Sequence, residues 1–188
     1  MKILVTESQY RKILREEKEQ KIFRIPSLKF FDEDLRYAWQ ILQKILERRG
    51  NPPYSIGGDL DLDGTPIRSL GNLQSVGGHL DLRGTPIKSL GNLTSVGGDF
   101  YLVGTPIKFL ENLQSVGGNL YLQFVPIESF GNLQSVDGDL ILQFTPIESL
   151  GNLTSVGGDL DLRGTPLSKK YTEEQIREMV NVDGEIYM

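Results

Sequence analysis

Residues 75–94 read SVGGHLDLRGTPIKSLGNLT, and residues 95–114 restate the phrase as SVGGDFYLVGTPIKFLENLQ. The same phrase opens at Ser55, Ser75, Ser95, Ser115, Ser135 and Ser155, a period of 20 residues. The last copy keeps only SVGGDLDLRGTPL before the pattern dissolves into SKKYTEEQ. Self-similarity at a fixed short period is the signature of a solenoid or array, and it outranks local propensity as evidence for the fold.

Each copy starts with a Gly-Gly pair, as at Gly77–Gly78; in the fifth copy the pair is Asp137–Gly138. The runs that follow, HLDLR, DFYLV, NLYLQ and DLILQ, alternate apolar with polar or variable residues. Period-two alternation predicts a strand with one buried face, so Leu80 and Leu82 are expected to point inward and His79, Asp81 and Arg83 outward. The GTPI that follows is a turn, in which Pro86 fixes φ and removes a donor. Apolar residues then recur every third position, at Ile87, Leu90, Leu93 and Val96. That spacing suits a tight, partly 3₁₀-like return path.

One copy cannot fold alone. Six buried apolar side chains contribute at most ~1.5–3 kcal/mol each, whereas ordering twenty backbone residues costs ~1–2 kcal/mol per residue. Neighbouring coils must share a core and pair strands. At ~4.8 Å between strands, six coils make a slab roughly 25–30 Å long.

The core L-x-L-x-x-T-x-I of LDLRGTPIKSL resembles a leucine-rich repeat over residues 55–167. Leu60, Leu62 and Ile67, then Leu80, Leu82 and Ile87, fall on the family's core positions. The family's Asn is replaced by Thr65, Thr85, Thr105, Val125, Thr145 and Thr165, and its first Leu falls on Gly57 and its equivalents. The rhythm V-x-G-x-L-x-L is also similar to the receptor L-type β-solenoid. The expected fold is therefore a repeat solenoid, a leucine-rich-repeat-like stack of six 20-residue coils with one parallel β-sheet, capped by helices at both ends. The alternative is a more general parallel β-helix. The resemblance implies a protein-binding scaffold without inherited catalytic residues. The opening ILVTESQYRKIL resembles the starts of some tailed-phage proteins.

Three segments are expected: a helical N-terminal cap over 1–50, the solenoid over 51–167, and a helical cap and tail over 168–188. In the first, Thr6 and Gln9 fit a capping box opening a helix over 7–20. Asp32 could cap a second helix, with Leu35, Ala38, Trp39, Leu42, Ile45 and Leu46 on one face and Gly50 as its stop. Near the other end, Thr172 and Gln175 form a capping box for a helix near 173–181.

The chain has 188 residues, 38% hydrophobic and 24% charged, which suits a folded protein. A net charge of −5 argues against nucleic acid as a partner. There is no cysteine, which excludes disulfides and thiolate chemistry. MKILVTESQYRKILREE becomes charged too early for a signal-peptide core, and no window reaches the length of a membrane span. A cytoplasmic or virion location and no membrane partner are the expectations.

Invariant columns read as structure. Asn72, Asn92, Asn112, Asn132 and Asn152 are expected to form a ladder bonded to neighbouring coils. DLDLDG at 59–64 matches the start of a calcium loop, but Leu70 stands where the pattern needs Glu, and strand alternation explains the spacing without a metal. The sole histidine, His79, shares a face with Asp81, but no nucleophile accompanies them. No enzyme activity and no cofactor are expected.

Variable columns read as function. The outward strand positions are charged in the outer coils and carry Tyr101, Val103, Tyr121, Gln123 and Ile141 in the middle ones. Phe124 and Phe144 stand where the other copies have glycine. An apolar centre with a polar rim is the composition of an interface, so these seven residues form the candidate partner-binding set. For the phenylalanines, packing inward beside Val125 is an equal alternative. A protein partner is expected, with a glycan second, and the oligomeric state is open. The alternative function is a structural subunit of a larger assembly, such as a phage particle, attached through its helical ends.

Overall fold

The computed structural model describes residues 22–28 and 35–188. The expected helix over 7–20 with its capping box, and the expected cap at Asp32, lie outside the described residues.

The repeat closes into a β-solenoid of 20-residue turns. Every coil lays down two short strands, one on each side of the Gly-Gly corner. Before the corner come β2 (Tyr54–Ile56), β4 (Leu73–Val76), β6 (Ser95–Val96), β8 (Ser115–Val116), β10 (Ser135–Val136) and β12 (Ser155–Val156). After it come β3 (Leu60–Asp61), β5 (Leu80–Asp81), β7 (Phe100–Tyr101), β9 (Leu120–Tyr121), β11 (Leu140–Ile141) and β13 (Leu160–Asp161). Ser75 pairs with Ser95 and Leu80 with Phe100, so the parallel register advances one full repeat per coil. The single sheet expected from the sequence is thus corrected to two parallel sheets, one of eight strands and one of seven. Alternation marked only the run after the glycines. The two-residue Ser-Val run before them is too short to show alternation, yet it pairs as well: Gly77 donates to Ile56 O at 2.7 Å.

The corner explains the glycines. A Cβ on Gly77 would overlap the Gly57 carbonyl of the coil below, yet Asp137 and Asp183 fill the equivalent position in later coils; it is the second corner position, Gly58, Gly78, Gly98, Gly118, Gly138, Gly158 and Gly184, that is glycine throughout. At the next corner the Thr column holds the chain: Thr85 sends both its N–H (3.2 Å) and its hydroxyl (2.8 Å) to Leu82 O. The third side of the coil is the extended return path, where the described residues show one isolated β-bridge between coils, Phe109 to Ser129.

Leu80, Leu82, Ile87, Leu90 and Leu93 are fully enclosed, as are their counterparts in the next coils, and together they form one continuous core. Phe100 and Phe130 replace leucines and are equally enclosed.

The ends depart from the expected caps. α1 (Leu35–Glu47) forms where the apolar stripe placed it, with Ala38, Trp39, Leu42 and Leu46 buried and Gly50 left-handed just beyond. It docks on the first coil through Gln43, whose Nε2 donates to the Tyr54 hydroxyl at 3.2 Å, while Tyr54 donates to Leu70 O at 2.7 Å. Burial drives the Tyr54 phenol far above the ordinary tyrosine range, so it stays a donor. The segment before α1 is not wholly helical: β1 (Phe23–Ile25) pairs with β2 and adds a rung. Its buried-exposed-buried pattern continues the core.

At the other end α2 (Pro166–Lys170) is capped by Thr165, and α3 (Glu173–Met179) carries the expected Thr172–Gln175 capping box. The chain then re-enters the stack. β14 (Asn181–Val182) pairs with β12, and β15 (Ile186–Tyr187) pairs with β13. NVDGEIYM is therefore a further copy of SVGGDLYL-type sequence, displaced from the 20-residue period by the inserted helices.

Candidate functional site: the second sheet and its aromatic corner

The first outward column, Asp59, His79, Asp99, Asn119, Asp139 and Asp159, is not free. Each side chain accepts the backbone N–H of its counterpart one coil on. His79 N–H donates to Asp59 Oδ1 at 2.8 Å, Asp99 N–H to His79 Nδ1 at 2.8 Å, and Asn119 N–H to Asp99 Oδ1 at 2.8 Å. Asp139 N–H then donates to Asn119 Oδ1 at 2.7 Å, Asp159 N–H to Asp139 Oδ1 at 2.8 Å, and Glu185 N–H to Asp159 Oδ1 at 2.9 Å. The second corner glycine makes room: a Cβ on Gly78 would overlap Asp59 Oδ1. Only Asp, Asn and His fill the six positions because each offers an acceptor at this reach. The spread of residue types looked like freedom in the sequence, and the shared acceptor was the signal to read.

This ladder also accounts for His79. Its Nδ1 is the acceptor and lies 3.5 Å from Asp99 Oδ2, so its neighbour is Asp99 of the next coil rather than Asp81. The calcium-like carboxylates are engaged as well: Asp59 holds the ladder, and Asp61 accepts the Asp63 N–H at 3.1 Å. Asn72, Asn92, Asn112 and Asn152 bond to the preceding turn through their side chains as expected, whereas Asn132, among the described residues, makes only a backbone bond, to Glu111 O. Asn92 Nδ2 reaches Asn72 Oδ1 at 3.1 Å, and Asn112 Nδ2 reaches Gly91 O at 2.8 Å, both from the exposed edge of the coil.

The second and third columns form the face of the second sheet. Tyr101 and Tyr121 pair across β7 and β9 and stack with ring centroids 4.7 Å apart and planes 4° apart. Their hydroxyls turn toward the ladder: Tyr101 donates to Asp99 Oδ2 at 3.0 Å, and Tyr121 accepts from Asn119 Nδ2 at 3.1 Å. Partial burial, then the Asp99 carboxylate, hold the Tyr101 hydroxyl above its ordinary range. Ile141 continues the column, and Val103, Gln123 and Gln143 run beside it, all partly exposed. Gln123 Oε1 is enclosed with no hydrogen-bond partner, the only such buried side-chain atom among the described residues.

The same charged unit closes both ends of this stretch. Arg83 pairs with Asp81 and lies over the Tyr101 ring, 5.3 Å from its centroid. Arg163 pairs with Asp161 and lies over Tyr187 at the same distance. Asp161 is 3% exposed. Burial works against its charge, but hydrogen bonds from Arg163, Gln143 and the Arg163 N–H outweigh it and hold the carboxyl below the ordinary range.

Phe124 and Phe144 face solvent, 66% and 58% exposed, which decides against inward packing beside Val125. Both are left-handed, φ +61° and +58°, at a corner where Gly64, Gly84, Gly104 and Gly164 take +61° to +77°. Their rings stack 5.1 Å apart, and Phe144 lies across Gly164, where an added Cβ would meet Cδ1 at 2.6 Å. The seven candidate residues thus come together on one face and its adjoining corner.

Phe109 escaped the sequence reading. It is 46% exposed on the third side, where other copies have Ser69, Ser89, Ser129 and Ser149. Those hydroxyls accept the N–H two residues on, as Ser89 does from Gly91 at 3.0 Å. Glu111, left-handed at φ +52°, takes the glycine's place and reaches back to the Gly91 N–H and Ser89 hydroxyl, both at 2.8 Å. On the same side the charge column Arg68, Lys88, Lys108, Glu128, Glu148 changes sign at a direct ion pair, Lys108 to Glu128 at 2.7 Å.

A cleft of about 410 Å³ lies between α1 and the first coil, lined by Trp39, Gln40, Leu62, Thr65, Pro66 and Ile67. Among the described residues its lining holds no titratable group.

Comparison of the chain with protein-family profiles, with curated proteins and with solved structures found no match. Geometry alone defines its class: a β-solenoid with Leu-rich strands in two parallel sheets.

Proposed function

We propose that the chain is a non-enzymatic protein-binding module whose contact surface is the second-sheet face with its aromatic corner. One observation carries this reading. Phe124 and Phe144 occupy left-handed backbone and solvent together. A bulky residue in that backbone region costs of order 1–3 kcal/mol, and exposure of a large apolar ring returns little of it. Sibling coils use glycine there. A residue that serves neither local conformation nor the core is best explained by something it contacts.

The ring geometry favours protein over glycan. The stacked pairs cover each other's faces and present edges, which leaves little ring face for a sugar to lie on. Two-sheeted coils favour a general parallel β-helix over a leucine-rich repeat as the chain's relation.

The test is the double variant F124G/F144G, which restores the residue that sibling coils carry. Immobilised wild type, F124G/F144G and the off-face control F109S are exposed to extract of the source cells, and retained proteins are identified by mass spectrometry. Partners held by wild type and F109S should be lost by F124G/F144G, while its melting temperature does not fall below that of wild type. Equal retention by all three would overturn the reading.

A further inference from the structure

Resting on that binding-face reading, we propose that the partner of the second-sheet face is a second copy of this chain, packed about a two-fold axis parallel to the solenoid axis and above the Val103–Gln123–Gln143 column.

Pitch is the first argument. Tyrosine rings repeat at 4.7 Å and phenylalanine rings at 5.1 Å along the solenoid. This comb of ring edges has the rise of the coils themselves, ~4.8 Å. A partner surface stays in register over several coils only if it has the same rise in the same direction. Another copy laid alongside, coil against like coil, meets that condition.

Column order is the second. This axis leaves the middle column facing itself and sets the tyrosine column against the partner's corner column. Tyr121 then meets Phe124 of the other copy, and Ile141 meets Phe144. Gln123 falls on the axis beside its own symmetry mate. A two-fold perpendicular to the solenoid axis and centred on Tyr121 would instead set Phe144 against Gly104.

Charge is the third. Asp81 and Arg83 bracket one end of the apolar stretch and Asp161 and Arg163 the other. About the proposed axis each unit meets its own copy. Each Arg is already paired with its own Asp, so the units meet as neutral pairs, while Asp61 and Asp63 of the first coil add carboxylates at that end.

The size of the patch sets the strength. At ~200 Å² per aromatic ring the two phenylalanines offer about 250 Å² per copy, and the partly exposed Tyr101, Val103, Tyr121 and Ile141 bring the apolar part to roughly 300–500 Å². A standard stable interface needs about 800 Å² per partner. The dimer is therefore reversible, with a dissociation constant in the micromolar range or weaker.

Sedimentation equilibrium of the full chain from ~5 µM to ~1 mM reads the association. Wild type should shift from monomer to dimer across that range, and F124G/F144G should stay monomeric with a melting temperature no lower than that of monomeric wild type. The lack of native cysteine allows a clean geometric readout. With a short bismaleimide, Q123C on the axis should give cross-linked dimer, and Q114C, exposed just before β8 of the other sheet, should not. Monomeric wild type at ~1 mM, dimerisation unaffected by F124G/F144G, or equal cross-linking of Q123C and Q114C would each overturn the dimer. If the dimer fails while F124G/F144G still loses a captured protein, the binding-face reading stands without it; if both fail, the face itself is wrong.

Discussion

Replacing Asn119 by leucine isolates one rung of the corner ladder. Leucine keeps the approximate size of asparagine but has no acceptor. The Asp139 N–H loses its 2.7 Å bond to Asn119 Oδ1, and Tyr121 loses the donor at 3.1 Å. A net hydrogen bond is worth about 1 kcal/mol, and a partly buried N–H left without a partner costs about 1–3 kcal/mol. Residual access to water places the expected loss near 2 kcal/mol. Asparagine to aspartate is the informative contrast, because it keeps the acceptor. It adds a charge between Asp99 and Asp139, each about 5 Å away at strand spacing, and each repulsion is about 0.8 kcal/mol in water. That penalty should shrink with added salt, whereas the leucine penalty should not. The assay is urea unfolding at low and high salt, joined to hydrogen exchange at the Asp139 amide. N119L should speed exchange at that amide well before its neighbours. If N119L unfolds within ~0.5 kcal/mol of wild type and Asp139 keeps its protection, the ladder contributes nothing and the reasoning fails.

Two further outcomes are expected. Asp161 is held below the ordinary carboxylate range by Arg163 and Gln143, so its stabilisation is full above the ordinary aspartate value of about 4 and is lost as pH falls through the folded value; unfolding midpoints of wild type and D161N should differ most at pH 6–7 and converge in acid, and a pH-independent gap would contradict this. Gly78→Ala should destabilise by about 1–3 kcal/mol or more, because its Cβ would overlap the Asp59 carboxylate and approach the Asp59 N at 2.9 Å; an alanine tolerated without loss in thermal melts would show that the corner can relax.

The wider consequence concerns which columns of a repeat carry information. Variation among Asp, His and Asn in the first outward column looked unconstrained, yet every member does the same work. The left-handed corner shows the converse. Its Gly-to-Phe change is a plain exception in the sequence, but only its backbone angle and exposure together separate a solvent-facing residue from a core residue. Phe109 and Glu111 depart from the repeat together and explain each other only across the coil boundary.

What the amino-acid sequence determined by itself was the 20-residue period, the inward columns of Leu, Ile and Val, α1, and the capping box of α3. These follow from contacts within a few residues, where side-chain alternation and cap spacing are written locally. The division into two sheets, the acceptor of each corner N–H, the extra rungs at β1 and at β14 with β15, and the solvent-facing phenylalanines were decided by tertiary structure. In each case the deciding atom belongs to a neighbouring coil some 20 residues away or to a backbone angle, and strand spacing rather than sequence order sets which groups meet.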